Sequence, residues 1–404
     1  MKKALKFILP ALAILAYIAC KKPFNPPVVT TNYNYLVVEG NITSGDSTIF
    51  KLSRTQAIGN KDQFKAELKA IVTIKSNQNN SYTLVETGGG NYKMGPVTLD
   101  KTQTYSLFIK TSNGETYQSD FVPFKITPPI DSIYYQIADT ALQFYVNTHD
   151  PQNNTHYYRW DYQETWSYVA NERSFYQIKK GAIAPFNPDS IFTCYKSAPS
   201  KSVYVANTSQ LSQDVVVKQP LGVTGPGSQK ISHIYSFLLS QYALTGDGLA
   251  YFTEVKKNSE QLGSIFDAQP TTTLGNIHCI NNPAEPVIGF VNASTISKKR
   301  IIVNVNDFGL SSFRLGIAHY FGPPSDGDCV TDTLAVLPKI TFPTKAAQLF
   351  ANGFYIPVNI VLGLVKDPVT MISYVDTVGL TYAQRTCVDC RLMGGTNVKP
   401  SFFP

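Results

Sequence analysis

The sequence predicts a mainly β protein: an N-terminal immunoglobulin-like β-sandwich followed by a larger β-rich, sandwich-like domain with one helical insertion. Three observations carry this. Apolar and polar residues alternate with period two in short runs spaced about ten residues apart, with turn residues between them. The chain holds 24 Tyr and 23 Phe, both strand-favouring because their flat side chains pack on a pleated surface. Only one stretch shows the three-and-four spacing of an amphipathic helix.

What precedes the strands sets the context. Met1-Lys2-Lys3 and Lys6 flank a short apolar run, Leu5 to Ala19, the charged start and apolar middle of a secretory signal. The run is too short for a span, which needs ~20 apolar residues. Tyr17-Ile18-Ala19-Cys20 resembles a bacterial lipobox, with Tyr17 where Leu is usual. That resemblance implies cleavage before Cys20 and a lipid on it. Residues 1–19 therefore read as a lipoprotein signal peptide. Residues 20–34 read as the lipidated cysteine and an extended tether, because Pro23, Pro26 and Pro27 fix φ and remove donors.

In the expected first sandwich, 35–126, the Tyr35 to Ile42 strand puts Leu36, Val38 and Ile42 on one face. Leu68, Ala70, Val72 and Ile74 alternate with Lys69, Ile71, Thr73 and Lys75, and Tyr105, Leu107 and Ile109 repeat the pattern. Ser112-Asn113-Gly114-Glu115 supplies a tight turn, since Asn and Gly tolerate positive φ. Leu99 followed by Tyr105 resembles the tyrosine corner of immunoglobulin-like domains, in which the hydroxyl bonds upstream backbone.

Pro123, Pro128 and Pro129 mark the start of the second expected domain, 127–404. Leu142 to Asn147 and Tyr157 to Tyr162 read as paired strands joined by a polar loop. Tyr158, Trp160 and Trp166 offer either an aromatic platform for a sugar or peptide or filling for a sandwich core. Ile231 to Leu244 reads as a long strand. Thr245 follows at an N-cap position, Asp247 suits the positive helix terminus, and Leu249, Phe252, Val255 and Leu262 define a helix over 246–262 ended by Gly263. Val287 to Ala293 and Lys299 to Val305 read as strands, with Lys298-Lys299-Arg300 in a turn before the second.

Composition narrows the chemistry. Charged residues make up 16% of the chain, and loss of Lys2, Lys3 and Lys6 would lower the formal charge from +7 to +4. No long basic run follows Lys21-Lys22, so nucleic-acid binding is unsupported. With Cys20 lipidated, five cysteines remain: Cys194, Cys279, Cys329, Cys387 and Cys390. In an oxidising compartment these permit at most two disulfides and leave one thiol, and spacing does not give the pairing. Cys387-x-x-Cys390 lacks the second pair a zinc site needs and the helix start of a redox motif. Asp326-Gly327-Asp328 with Asp332 is only part of a calcium loop, and His149, Asp150 and His156 form a polar loop better read as solvated. No metal, cofactor or catalytic motif is expected.

Four stretches together resemble a known family: Tyr35-Leu36-Val37-Val38-Glu39-Gly40; Gln241-Tyr242-Ala243-Leu244-Thr245; Glu260 to Pro270 with Gly275-Asn276-Ile277; and Cys387-Val388-Asp389-Cys390-Arg391 with Gly394-Gly395-Thr396 and Lys399-Pro400. The chain is similar to an uncharacterised Bacteroidota outer-membrane lipoprotein family, a domain-of-unknown-function family often encoded beside TonB-dependent receptors. The resemblance implies an outer-membrane lipid anchor and a TonB-dependent receptor as partner, and it transfers no catalytic residue. Lys21 and Lys22 stand where surface-exported lipoproteins of that phylum often carry acidic residues, so the membrane face stays open. The expected role is binding a ligand or partner at the outer membrane, accessory to a TonB-dependent transporter. A glycan or peptide hydrolase and an envelope assembly factor are the alternatives.

Overall fold

The structure, a computed structural model, describes residues 34–56, 65–138, 141–180, 182–225, 228–260, 275–304, 329, 332–335, 348–367 and 369–404. The signal, Cys20 and the tether, Gly263 and Asp326–Asp328 lie outside the described residues.

The mainly β architecture holds. In the first sandwich, Leu36–Ser44 pairs with Thr48–Arg54, which pairs with Asn91–Met94. Ser81–Gly88 joins the two layers: its first half pairs with Ile71–Ser76 and its second with Asn91–Met94. Period-two alternation sends Leu36, Ile42, Phe50, Leu52, Val72 and Ile74 to complete burial in one core. The Tyr105 hydroxyl donates to the Asp100 carbonyl at 2.9 Å, as the corner reading requires. The turn at Thr111–Glu115 closes with Gly114 at φ 93°, a conformation open to glycine.

Chain order does not separate the two bodies at residue 126. Ile277–Cys279 adds a strand beside Thr116–Ser119, and Ile277, Cys279, Val287, Val291 and Ala293 complete the first core. The return is clamped by Asn276, whose amide donates to the Val291 carbonyl and accepts from the Val291 N–H. Gly275 lies so close to Gly289 that a Cβ there would stand 1.6 Å from the Gly289 oxygen. Part of the family-like Gly275-Asn276-Ile277 stretch is thereby explained as backbone packing.

The second sandwich has one sheet ordered Thr193–Pro199, Tyr157–Val169, Ile234–Ala243 and Ala293–Asn304, facing Ile130–Ala138, Ala141–His149 and Val215–Thr224. Two readings change here. The stretches around Leu142–Asn147 and Tyr157–Tyr162 are not paired but lie in opposite sheets, where Phe144 and Phe237 stack with centroids 4.4 Å apart. Lys298-Lys299-Arg300 is not a turn. It lies within Ala293–Asn304, because each cation finds its own partner: Lys298 the Asp46 carboxylate, Lys299 the Asp131 carbonyl, and Arg300 the Ser236 hydroxyl and the Phe402 ring. Of the expected strand at Val287 to Ala293, only an isolated bridge from Ile288 to Val37 precedes Ala293.

That strand joins the two bodies. Its start lies parallel to Ile42–Ser44 and to Phe124–Lys125, and the rest pairs with Ile234–Ala243. The helix Gly246–Glu260 begins with the Thr245 hydroxyl accepting from the Gly248 N–H at 3.1 Å, the N-cap bond that satisfies an otherwise orphan donor. It packs outside the sheet, where the Arg159 guanidinium lies 4.5 Å from both the Tyr242 and Phe252 ring centroids.

A third, smaller body follows. The hairpin Tyr355–Lys366 and Ser373–Gln384, flanked by Asp332–Ala335, packs on Ile191, Val358, Ala383, Cys387 and Val388.

Candidate functional site

Between the hairpin Tyr176–Lys179/Ala182–Pro185 and the base of the C-terminal hairpin lies a cavity of about 280 Å³. Its walls are largely apolar: Ile178, Phe186, Phe350, Tyr355 and Ile356. Its polar edge is Arg385, Asp389 and Arg391.

Local backbone bonds build it. The Phe175 N–H donates to the Val358 carbonyl at 2.9 Å, and the Glu172 N–H donates to the Cys387 carbonyl at 2.9 Å. The Ser174 hydroxyl bonds the Pro357 carbonyl, and the Arg385 N–H bonds the Phe354 carbonyl at 2.7 Å. Two disulfides then fix the polar edge: Cys194–Cys390 and Cys329–Cys387. Each half of the Cys-x-x-Cys stretch reaches a distant partner and the two do not bond each other. The fifth cysteine, Cys279, is a buried thiol in the first core.

The charges are arranged asymmetrically. Asp389 has a side chain only 2% exposed and holds Arg391 in a fork, Nε to Oδ1 and Nη2 to Oδ2, both at 2.8 Å. Burial opposes its ionisation. The Arg391 side chain and backbone N–H, with the nearby Arg385 charge, outweigh burial and hold the carboxyl below its ordinary range. Arg385 is half exposed and lies 3.7 Å from Asp389 Oδ2, beyond hydrogen-bond reach, so its fork of donors stays open. Two guanidiniums against one carboxylate leave one positive charge beside aromatic walls.

The aromatic residues singled out from sequence do not form a surface. Tyr158, Trp160 and Trp166 are inside the second core, at 0%, 1% and 6% exposure. Their polar tips are directed inward: the Trp160 indole donates to Gln241 Oε1 at 2.8 Å, and the Tyr158 hydroxyl bonds Asp214. A binding platform needs an accessible ring, so that reading is corrected to core packing. In the polar loop, the Asp150 carboxylate accepts from the N–H groups of Gln152, Asn154 and Thr155. His149 Nδ1 lies 2.8 Å from Asp131, not from a loop neighbour. Asp332 accepts from the Tyr382 hydroxyl. Among the described residues, no group of three His, Cys, Asp or Glu side chains is placed to hold a metal ion.

The pocket's charged residues had a signal in the sequence: Asp389 and Arg391 stand inside the Cys387 to Arg391 stretch. That stretch read as a disulfide element, and its carboxylate–guanidinium fork went unread. Its aromatic walls, Phe186 against Phe350 and Tyr355, come from segments more than 160 residues apart and had no local signal.

The C-terminal hairpin also carries exposed apolar side chains. On one face of the C-terminal hairpin Leu362, Leu364 and Val375 are 59%, 77% and 63% exposed, and Val369, Met371 and Ile372 at its tip are also exposed.

Residues 21–300 match the model of the family described as "Domain of unknown function (DUF4249)". No curated protein matches. Among solved structures, a two-domain fibronectin type-III segment of chicken tenascin matches with 10% identity and a TM-score of 0.15, over 51% of this chain and 89% of that one. Trypsin-activated alpha-2-macroglobulin from Escherichia coli matches with 9% identity and a TM-score of 0.19, over 56% and 15%. The Yersinia pseudotuberculosis adhesin InvE matches with 14% identity and a TM-score of 0.15, over 52% and 57%. The fold assignment rests on the strand pairing described above.

Proposed function

We propose that this chain, which belongs to the DUF4249 family, is a lipid-anchored cell-envelope protein that binds a ligand or partner at the outer membrane, accessory to a TonB-dependent transporter. The observation that carries the binding role is the arginine-edged pocket beside an exposed apolar hairpin. Pockets also lie on the sandwiches, among them one of about 360 Å³ lined by Tyr195, His233 and Phe403; the peripheral unit is favoured because its pocket sets two guanidiniums against aromatic walls. The anchor rests on the signal-like Leu5 to Cys20 stretch, and the Bacteroidota setting and receptor partner rest on the family resemblance.

The structure does not favour the hydrolase alternative. The His149–Asp131 and His278–Asp120 pairs are both surface pairs, and neither histidine bonds a Ser, Thr or Cys side chain among the described residues. The assembly-factor alternative shares the exposed hairpin as its contact surface.

The test is expression of the full chain in a bacterium of its own kind, with palmitate labelling and detergent extraction. Label on the wild type and none on Cys20→Ala is expected, with a TonB-dependent receptor in the affinity-purified fraction. An unlabelled wild-type chain would overturn the anchor. Recovery without a receptor would overturn the transporter role.

A further inference from the structure

We propose that the cavity at the hairpin base binds a carboxylate carried on a compact apolar or aromatic group, with Arg385 as the anion's partner and Arg391 held in place by Asp389. This deepens the binding role proposed above but does not depend on the lipid anchor or on the receptor.

Three features define the ligand. The first is charge. Asp389 is saturated by Arg391, so Arg385 contributes a planar fork of donors with no bonded acceptor among the described residues. A guanidinium fork matches the two oxygens of a carboxylate and binds them with paired, charge-assisted bonds. One surplus positive charge matches a monoanion. A phosphate dianion would leave a charge uncompensated against apolar walls. The second is the walls. Phe186, Phe350, Tyr355 and Ile356 offer ring faces and edges to an apolar body. The third is size. A cavity of about 280 Å³ lies just below the ~300–1,000 Å³ typical of ligand sites. It matches a group the size of one aromatic amino acid.

Asp389 is a positioning residue. It does not face the anion, because both of its oxygens are engaged with Arg391. It keeps the Arg391 guanidinium in one orientation at the pocket edge, while Arg385 adjusts to the ligand. The same chemistry is present at the C-terminus of a peptide ending in Phe and in a free aromatic acid.

The experiment titrates the full chain, purified in detergent, with N-acetylphenylalanine and with its neutral amide by ligand-observed NMR and calorimetry. It does the same with a short peptide ending in Phe, with its C-terminus free or amidated. The acids should bind at least about ten-fold more tightly than the amides, the factor expected for charged hydrogen bonds. Arg385→Gln should remove that preference while keeping the wild-type far-UV spectrum, and loss of its 3.7 Å pairing with Asp389 should shift the melting profile only slightly, because Asp389 keeps both bonds to Arg391. Tighter binding of the peptide assigns protein C-termini as ligands, and tighter binding of the free acid assigns a small metabolite. Equal affinity for acid and amide, no binding of either, or a preference that survives Arg385→Gln would overturn the inference. The acid–amide comparison uses unaltered protein, so it does not depend on how a variant folds. A missing receptor with intact acid binding would overturn the transporter role alone, and a bound receptor with no acid binding would overturn this site alone.

Discussion

Cys279 sits unbridged in the core of the first sandwich, whereas Cys194, Cys329, Cys387 and Cys390 around the C-terminal hairpin are bridged in two pairs. The Cys194–Cys390 bridge lies in the large second core and ties the end of the chain to it, whereas Cys329–Cys387 belongs to the small hairpin core, and for that bridge core size matters. The first core gathers more than a dozen fully buried aliphatic and aromatic side chains, and strands from both ends of the family-matched region close it. Among the described residues, the hairpin unit's core cluster is Ile191, Val358, Ala383, Cys387 and Val388, with Leu380 also buried, and Leu362, Leu364 and Val375 are left in solvent. A small body cannot bury enough apolar surface to offset its conformational entropy, and cross-links that restrict the unfolded chain make up the difference. The unit that needs staples is also the one that carries the pocket, where charge and apolar surface are left accessible.

The largest effect expected from breaking this comparison is in a sandwich core. Phe237 stacks on Phe144 and lies 4.4 Å from the Tyr162 ring centroid. Phe237→Ala should cost about 3–5 kcal/mol in urea unfolding, while Leu364→Ser on the exposed hairpin should stay within about 0.5 kcal/mol. Comparable losses at the two positions would erase the distinction.

Next in size is the Cys329–Cys387 bridge, which spans a sequence separation of 58. The double variant Cys329→Ser, Cys387→Ser should destabilise the hairpin unit by about 2–4 kcal/mol. Limited proteolysis should then cut near the hairpin and leave the sandwiches whole. Cleavage within the first sandwich at the same rate would show that the units are not separately stabilised.

The smallest effect is the pH response of the pocket edge. Asp389 has its folded pKa lowered, by Arg391 bonds that overcome burial. Its contribution is therefore complete above the unfolded carboxylate value of ~3.9 and disappears as pH falls through the folded value. Protection of the Arg391 and Gly394 amides against hydrogen exchange should fall as pH drops below about 3.9. Asp389→Asn should exchange faster already at pH 7, with a loss of about 1.5–3 kcal/mol, and should show little further change with acid. A variant that keeps the wild-type acid profile would remove Asp389 from this role.

Individual residues show where the sequence could be read. Tyr105 was legible because the corner is local: Asp100 is five residues upstream, and the strand-start geometry brings the hydroxyl to it. Thr245 was legible as a cap for the same reason. The pairing of Leu142–Asn147 was not, because period two shows that a strand has a buried face but not which sheet covers it. Lys298–Arg300 misled because three adjacent cations resemble a solvated turn, and their partners at Asp46, Asp131 and Ser236 are remote in sequence. Trp160 and Trp166 read more readily as core than as platform, and the opposite sheet supplies the rest of that core. In the pocket, Asp389 and Arg391 were visible as a motif, but their role depends on Phe186 and Tyr355, which no spacing links to them.

The sequence by itself determined the β class, the tight turn at Thr111–Glu115 and the helix capped by Thr245, because these depend on side-chain alternation and backbone φ preferences, local properties of the chain. Tertiary structure alone decided which cysteines meet, that Ile277–Ala293 returns to the first core, and that Arg385 opens onto an aromatic cavity. Those outcomes are contacts between segments tens to hundreds of residues apart, selected by the burial of whole faces against one another, and no local pattern encodes them.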